Sequence, residues 1–129
     1  MTNVFQQHGA FSWCELLTNN TTAAKEFYSQ LFGWTMKDQP IPEGVYTVLK
    51  AAHQEVGGMM KMPEDKSDIA PYWGVYVTVN DVDATAKQVE ELGGKVCFAP
   101  MDIPDVGRFA MIQDPQGAIL SVISYNAVM

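Results

Sequence analysis

Hydrophobic and polar positions along this chain follow two periods. Val75, Val77 and Val79 alternate with small or polar residues, which indicates a strand whose valine face is buried against a helix. Residues 21–31 instead carry apolar side chains three and four positions apart, which indicates an amphipathic helix. We expect this apolar face to pack on a sheet, and its members are Ala24, Phe27, Tyr28 and Leu31.

The same order of elements occurs twice along the chain. Three pairs of equivalent positions are 61 residues apart: Trp13 and Gly74 in a first strand, Asn20 and Asp81 at a helix start, and Gly33 and Gly94 after a helix. Each copy reads strand, helix, strand, strand, strand. The sequence therefore predicts an α+β fold in which two tandem βαβββ modules form a curved mixed sheet with a cleft.

These patterns place the modules within a single domain. The first module covers about residues 8–62, a polar linker about 63–70, and the second module about 71–126. Strands are predicted at 11–18, 34–37, 45–50, 56–62, 73–79, 95–98, 108–113 and 118–125, and helices at 21–31 and 82–92. The second helix is expected to bury Val82, Ala86, Val89 and Leu92.

Composition and charge restrict the partners of this domain. A chain of 129 residues with 47% hydrophobic and 18% charged residues is typical of a globular protein. A net charge of −7 repels phosphate backbones and anionic lipids, so we expect neither nucleic acid nor a membrane as partner. The first ten residues lack the basic start and apolar stretch of a signal peptide, which predicts a cytoplasmic protein.

Neither the cysteines nor the histidines indicate a reactive centre. Cys14 and Cys97 are too few for a disulfide framework, and we expect both to be buried, with Cys14 facing the helix. His8 precedes the first strand and His53 lies in a turn, so we expect both to be exposed.

Two segments carry a family resemblance. Residues 26–34 (EFYSQLFGW) close the first helix, and residues 114–117 (DPQG) form a turn before the last strand. In paired modules, these segments resemble the vicinal oxygen chelate superfamily, which includes glyoxalase I, extradiol dioxygenases, and fosfomycin and bleomycin resistance proteins. Residues 56–60 and 107–110 are most similar to the glyoxalase-like and bleomycin-resistance-like branch.

The resemblance implies positions for a metal centre. Metal-using members bind a divalent ion through four ligands, usually His or Glu, one on the first and one on the last strand of each module. The equivalent positions in this sequence are Trp13, Gly74, Ser121 and either Met60 or Gly58. None of these side chains is a good ligand for such an ion, so the sequence predicts that the usual metal centre is lost and that no cofactor is bound.

Glu15 is the candidate catalytic residue, with Tyr76 as its partner. Strand alternation places both on the concave face of the predicted sheet, where burial would raise the pKa of the carboxyl and suit it to act as a general base. In the alternative, Glu15 is solvated or is held by a structural hydrogen bond from Tyr76 or Arg108.

Aromatic and thioether side chains dominate the rest of the predicted site. They suit a flat or apolar ligand, but they would equally fill a cleft that has closed into core. The predicted ligand-binding residues are Trp13, Glu15, Met60, Trp73, Tyr76, Phe109 and Ser121, and Met59 is a further candidate.

Three functions follow from these observations. The leading hypothesis is a protein that binds a small organic molecule without a metal ion. The alternatives are a metal-dependent lyase, isomerase or dioxygenase of the superfamily, and a protein interaction module with a closed cleft. We also expect a homodimer, because exposed strand edges and the apolar residues Ala127, Val128 and Met129 offer contact area.

Overall fold

A computed structural model describes residues 3–41, 44–62, 70–103 and 106–126. Its elements are β1 (Phe11–Thr18), α1 (Thr21–Phe32), β2 (Thr35–Ile41), β3 (Gly44–Ala51), β4 (Gln54–Lys61), β5 (Tyr72–Thr78), α2 (Val82–Glu91), β6 (Lys95–Ile103), β7 (Gly107–Gln113) and β8 (Ile119–Tyr125). The predicted α+β fold with two βαβββ modules is confirmed. The predicted linker, apart from residue 70, and the C-terminal residues 127–129 lie outside the described residues.

Contacts divide the chain into two compact units. The first unit is Trp13–Gly74, and the second unit combines Met1–Ser12 with Val75–Met129. The boundaries fall inside β1 and β5, so the first two residues of β1 belong to the second unit. Among the described residues, no helix is long and apolar enough to cross a membrane.

The first unit is a four-stranded mixed sheet with α1 on one face. Its strand order is β2-β3-β4-β1, with β1 parallel to β4 and the other pairs antiparallel. Leu16, Leu49 and Met59 form the buried core of this unit, and Ala24 and Tyr28 of α1 pack against it.

The ends of α1 form as the sequence predicts. The Asn20 side-chain oxygen accepts a hydrogen bond from the Ala23 amide at 3.0 Å, and Gly33 ends the helix with a left-handed φ of 72°. The predicted packing face is confirmed for Ala24 and Tyr28 but is wrong for two other residues. Phe27 and Leu31 are 59% and 56% exposed. We infer that α1 contacts the core along one row of side chains, because Ala24 and Tyr28 pack against it.

The second unit repeats this arrangement with α2. Its strand order is β5-β8-β7-β6, with β5 parallel to β8. The core contains Val79 and Val82 with residues of β7 and β8, which confirms that this end of the valine face meets the helix. Leu92, which we expected to be buried, is 70% exposed, because α2 ends at Glu91 and Leu92 is the helix cap.

Residues before β1 pack on β5 and β8 of the second unit. The Gly9 amide donates to the Thr78 carbonyl at 2.7 Å, and the Thr78 hydroxyl donates to the Val4 carbonyl at 2.7 Å. The rings of Phe5 and Tyr125 meet edge to face at 5.0 Å. These contacts explain why the chain start groups with the second unit.

Two strands extend well beyond their predicted ends. β2 continues to Ile41 and β6 to Ile103, through Pro40 and Pro100. Proline and polar residues argue against a strand in the sequence. Within their units, however, β2 and β6 are edge strands, which tolerate proline because one row of backbone groups needs no partner strand.

Both cysteines are free and exposed, so the prediction that they are buried is wrong. Cys97 lies on the edge strand β6 where its register with β7 shifts. Cys14 shares a face of β1 with the buried Leu16 by alternation. We infer that α1 covers Leu16 and leaves this end of β1 open.

Candidate functional site

The first unit carries a candidate site on the sheet face opposite α1. Leu16 of β1 points into the core beneath α1. Because successive side chains of a strand point to opposite faces, Trp13 and Glu15 lie on the other face. Tyr46 and Met60 are paired in register across β3 and β4, and Met60 is also opposite Leu17 of β1. These residues therefore share one surface.

Strand register decides between the two alternatives for the last-strand position of the first module. Glu15 pairs with Gly58, and Tyr76 pairs with Ser121. Because Glu15 and Tyr76 are equivalent in the repeat, Gly58 is the equivalent of Ser121. Met60 lies two residues further along β4.

Tyr46 occupies the space above Gly58. A Cβ atom added to Gly58 would overlap the ring and hydroxyl of Tyr46, so only glycine admits this arrangement. The Trp13 indole nitrogen donates a hydrogen bond to the Tyr46 hydroxyl at 2.9 Å. Trp13 and Tyr46 are both partly exposed. We call them the Trp13–Tyr46 pair.

Sequence reasoning missed Tyr46. A glycine inside a strand often marks the close approach of another group, and Gly58 is such a signal. The alternation of β3 also places Tyr46 on the face away from the buried Thr47. Choosing Tyr46 as the group that approaches Gly58 nevertheless required the register between β3 and β4.

A carboxylate lies among these aromatic side chains. Glu15 is 9% exposed and is directly opposite Gly58, above which Tyr46 lies. Burial raises the pKa of the Tyr72 phenol, and the negative charge of Glu15 raises it further. The negative charge of Glu15 therefore acts on Tyr72 within the first unit.

The second unit carries its own aromatic face. Tyr76 is 8% exposed and is paired in register with the buried Ser121. The Phe109 ring lies 6.4 Å from the Tyr76 ring and stacks on Phe98 at 5.6 Å. The predicted residues Tyr76, Phe109 and Ser121 thus share one face of the second unit, and the sequence analysis missed Phe98.

Two predicted site residues lie elsewhere. The Trp73 indole nitrogen donates to the Tyr28 hydroxyl at 3.2 Å, and its ring meets Trp34 edge to face at 6.0 Å. Trp73 therefore packs with α1. Met59 is fully buried in the core with Leu16. Both assignments to the site are corrected, because a shift of one residue along a strand moves a side chain to the opposite face.

Arg108 lies in the second unit, where it binds two aspartates. Arg108 bonds to both carboxylate oxygens of Asp83 on α2, at 2.8 and 3.0 Å, and to Asp102 at 3.0 Å. The hydrogen bonds from Arg108 lower the pKa of Asp83.

His8 and His53 are exposed, as predicted, and His8 accepts a hydrogen bond from the Asn80 amide at 3.0 Å.

The residues at the four ligand positions do not fit the metal ion that the resemblance implies. Trp13 offers an N–H that is already donated to Tyr46, and the two glycines offer no side chain. Ser121 contributes one neutral hydroxyl, which is a weak ligand. Across the part of the chain that the structure describes, no group of three or more His, Cys, Asp or Glu side chains could hold a metal ion.

The fold and this repeat define a known class of protein. The profile of the Glyoxalase/Bleomycin resistance protein/Dioxygenase superfamily matches residues 10–122. The chain belongs to this superfamily.

Two relatives illustrate the sequence similarity. The chain is 46% identical over 116 residues to "Putative glyoxylase CFP32" of Mycobacterium tuberculosis, an alignment that covers 89% of this chain and 44% of CFP32. It is 35% identical over 127 residues to "Anthracycline biosynthesis protein DauV" of Streptomyces sp. strain C5, covering 88% of this chain and 46% of DauV. The chain thus spans about half the length of these relatives.

A solved structure shows the same fold. Methylmalonyl-CoA epimerase of Streptomyces coelicolor, in complex with 2-nitronate-propionyl-CoA, superposes with a TM-score of 0.69 at 15% identity. The match covers 94% of this chain and 97% of the epimerase. At this identity the likeness concerns the fold alone.

Proposed function

We propose that this protein binds a small organic molecule against the Trp13–Tyr46 pair and does so without a metal ion. One observation carries the proposal: an indole stands at one of the two positions of the first module where the family's metal ligands are expected, and a phenol, joined to it by a 2.9 Å hydrogen bond, occupies the space above Gly58 at the other. An aromatic surface thus stands where a metal centre would be.

The pair is suited to contact a flat ligand. Trp13, Tyr46 and Met60 are each partly exposed, so they retain polarizable surface that a ligand can cover. The hydrogen bond between the two rings fixes their orientation before binding, which reduces the entropic cost of association. A surface that served only as packing would bury these side chains.

The names of the relatives support only the general class of ligand. DauV is named for anthracycline biosynthesis and CFP32 as a glyoxylase, and both names concern the chemistry of small organic molecules. Because this chain spans about half of each relative, neither activity is assigned to it.

A binding titration tests the proposal. Protein purified without chelators is titrated with acridine, a flat aromatic probe, by isothermal calorimetry, and its divalent metal content is measured by mass spectrometry. We expect saturable binding by protein that contains less than about one metal ion per chain.

Two tryptophan variants locate the binding surface. Trp13→Ala should weaken acridine binding by about ten-fold or more, because it removes a stacking surface. Trp73→Ala is the matched control, because Trp73 packs with α1 on the other face and its loss should leave binding unchanged. Equal binding by wild type and Trp13→Ala, or binding that requires a stoichiometric metal ion, would contradict the proposal.

A second candidate function is an enzyme that transfers a proton through Glu15. The low exposure of this carboxylate beside Tyr72 favours it. In that case Glu15→Gln should abolish turnover of a substrate while the binding of acridine is retained. A lyase, isomerase or dioxygenase that needs a metal would instead lose activity on treatment with a chelator.

A further inference from the structure

We propose that an exposed aromatic surface around α1 is the interface through which two copies of this chain associate. Five rings in mutual contact and one leucine form this surface, which we call the α1 aromatic face: Phe27, Tyr28, Leu31, Phe32, Trp34 and Trp73. All six residues belong to the first unit. The face is separate from the Trp13–Tyr46 pair, so this inference does not depend on the proposed function.

Ring contacts join the α1 aromatic face into one patch. The Tyr28 ring lies 5.0 Å from the Phe27 ring and 5.4 Å from the Trp73 ring, both edge to face. Tyr28 also stacks on Phe32 at 6.2 Å. Leu31 follows Phe27 by four residues and therefore lies on the same side of α1. These contacts hold the rings in place before a partner arrives, which reduces the entropic cost of association.

The exposed area of this face matches the needs of a dimer. Phe27, Leu31 and Phe32 each expose more than half of their surface, and Trp73 is 40% exposed. At about 150–250 Å² for a large side chain, these fractions leave roughly 300–500 Å² of apolar surface open. A standard interface covers about 800 Å² on each partner, of which about 450 Å² is nonpolar. The face therefore supplies the apolar part of one such interface.

A partner can cover this face at low electrostatic cost. The Tyr28 hydroxyl accepts a hydrogen bond from the Trp73 indole nitrogen at 3.2 Å, so these two polar atoms keep each other as partners when water is excluded. None of the six side chains is charged, whereas the whole chain carries a net charge of −7. Two copies with this charge repel each other, and an uncharged patch is where they approach at least cost.

These properties favour a second copy of the chain as the occupant. An apolar face without charges is self-complementary, and in a twofold dimer the same patch lies on both sides of the interface. A strongly charged partner, such as a basic protein, would find no counter-charge among the six side chains of this face. The second copy instead brings an apolar patch of equal size.

Sedimentation equilibrium of the full chain, from about 1 to 300 μM, tests the interface. We expect the mass to rise towards twice that of one chain, with a dimer Kd on the order of 10 μM. Phe27→Glu and Phe32→Glu should each raise this Kd by about 100-fold, because they place like charges across the twofold axis. Phe11→Glu is the matched control, because Phe11 is an exposed phenylalanine of β1 outside the α1 aromatic face, and its Kd should stay within about two-fold of wild type.

Hydroxyl-radical footprinting of wild type locates the interface without any variant. Between about 1 and 300 μM, oxidation of Phe27, Leu31 and Phe32 should fall by about two-fold or more, because the partner excludes water from them. Oxidation of Phe11 and Leu92, which are also exposed, should stay constant and serves as the internal reference. Urea denaturation at a concentration at which wild type is monomeric verifies that each glutamate variant folds.

Three results would overturn the proposal. The first is a wild type that stays monomeric throughout the concentration range, which is also the result expected if the face binds a different protein. The second is a dimer that Phe11→Glu dissociates while Phe27→Glu and Phe32→Glu leave it intact. The third is a dimer in which footprinting shows protection outside the α1 aromatic face and none within it.

Discussion

Gly58, Tyr46 and Trp13 depend on one another at the level of single residues. The absence of a side chain at Gly58 lets the Tyr46 ring lie over the strand, and the position of Tyr46 gives the Trp13 indole a hydrogen-bond partner. Gly58 has no positive φ, so its role is steric and not conformational. A substitution at any one of these three residues should therefore alter the contacts of the other two.

Gly58→Ala is expected to destabilise the protein by about 1–3 kcal/mol, the usual cost of overpacking, because its Cβ would displace Tyr46. Urea denaturation measures this cost. In a Tyr46→Ala background the same substitution should cost less than about 1 kcal/mol, because the obstructing ring is gone. Equal costs in the two backgrounds would show that Tyr46 does not limit the space above Gly58.

Trp13→Ala is expected to reduce the free energy of unfolding by less than about 3 kcal/mol, because the indole is only partly buried. Deletion of a fully buried tryptophan costs about 3–5 kcal/mol. Chemical denaturation beside wild type measures the loss, and acridine titration of the same variant reports on binding. A loss above about 3 kcal/mol, in a protein whose wild type binds no probe, would mean that the indole serves as packing.

At the level of elements, α1 shows how a helical pattern can overstate burial. Its apolar positions satisfy the spacing of a packing face, yet only Ala24 and Tyr28 reach the core. Periodicity defines which side chains share a side of the helix. The rotation of the helix on the sheet then depends on the strip that Leu16, Leu49 and Met59 present.

This contrast predicts unequal effects of two adjacent substitutions. Phe27→Ala should cost less than about 1 kcal/mol of unfolding free energy, because the ring is mostly exposed. Tyr28→Ala should cost about 2–4 kcal/mol, because it removes core packing and the partner of the Trp73 indole. Thermal or urea denaturation of both variants tests the difference, and a larger loss for Phe27→Ala would contradict the observed rotation of α1.

At the level of the whole molecule, ionised aspartates contribute to the pH dependence of stability. The hydrogen bond from the Thr47 hydroxyl, at 2.7 Å, is the main cause that lowers the pKa of Asp38 below 3.8, followed by Lys25. A carboxyl whose pKa is lowered by folding stabilises the protein above its unfolded pKa, and this contribution is lost as the pH falls through the folded pKa.

Stability should therefore fall as the pH is lowered from about 5 through the folded pKa of Asp38, which lies below 3.8. In Asp38→Asn this decline should be smaller, because the amide does not titrate. Urea denaturation at several pH values measures the effect, with Glu26→Gln as an exposed control. An identical decline in wild type and Asp38→Asn would show that Asp38 makes no measurable contribution.

We also expect the chain to form a homodimer, since an acidic protein with exposed strand edges still has surface available for association. Sedimentation velocity over a range of micromolar concentrations tests this expectation. A single monomeric species throughout the range would refute it.

Much of the fold could be predicted from the sequence alone, because its signals are local. Alternation identified β1 and β5, Asn20 and Asp81 marked the helix starts, and the constant offset between equivalent positions revealed two modules. Alternation also placed Trp13 and Glu15 on one face of β1, because neighbouring side chains on a strand point to opposite sides.

The tertiary structure decided which side chains meet. Register between β1 and β4 selected Gly58 over Met60, and register between β3 and β4 brought Tyr46 above that glycine. The packing of α1 on the sheet gives the Trp73 indole a hydrogen-bond partner, the Tyr28 hydroxyl. A local pattern defines the period and the face of each element, but strand register and helix rotation depend on residues far apart in the chain, and these set the candidate site.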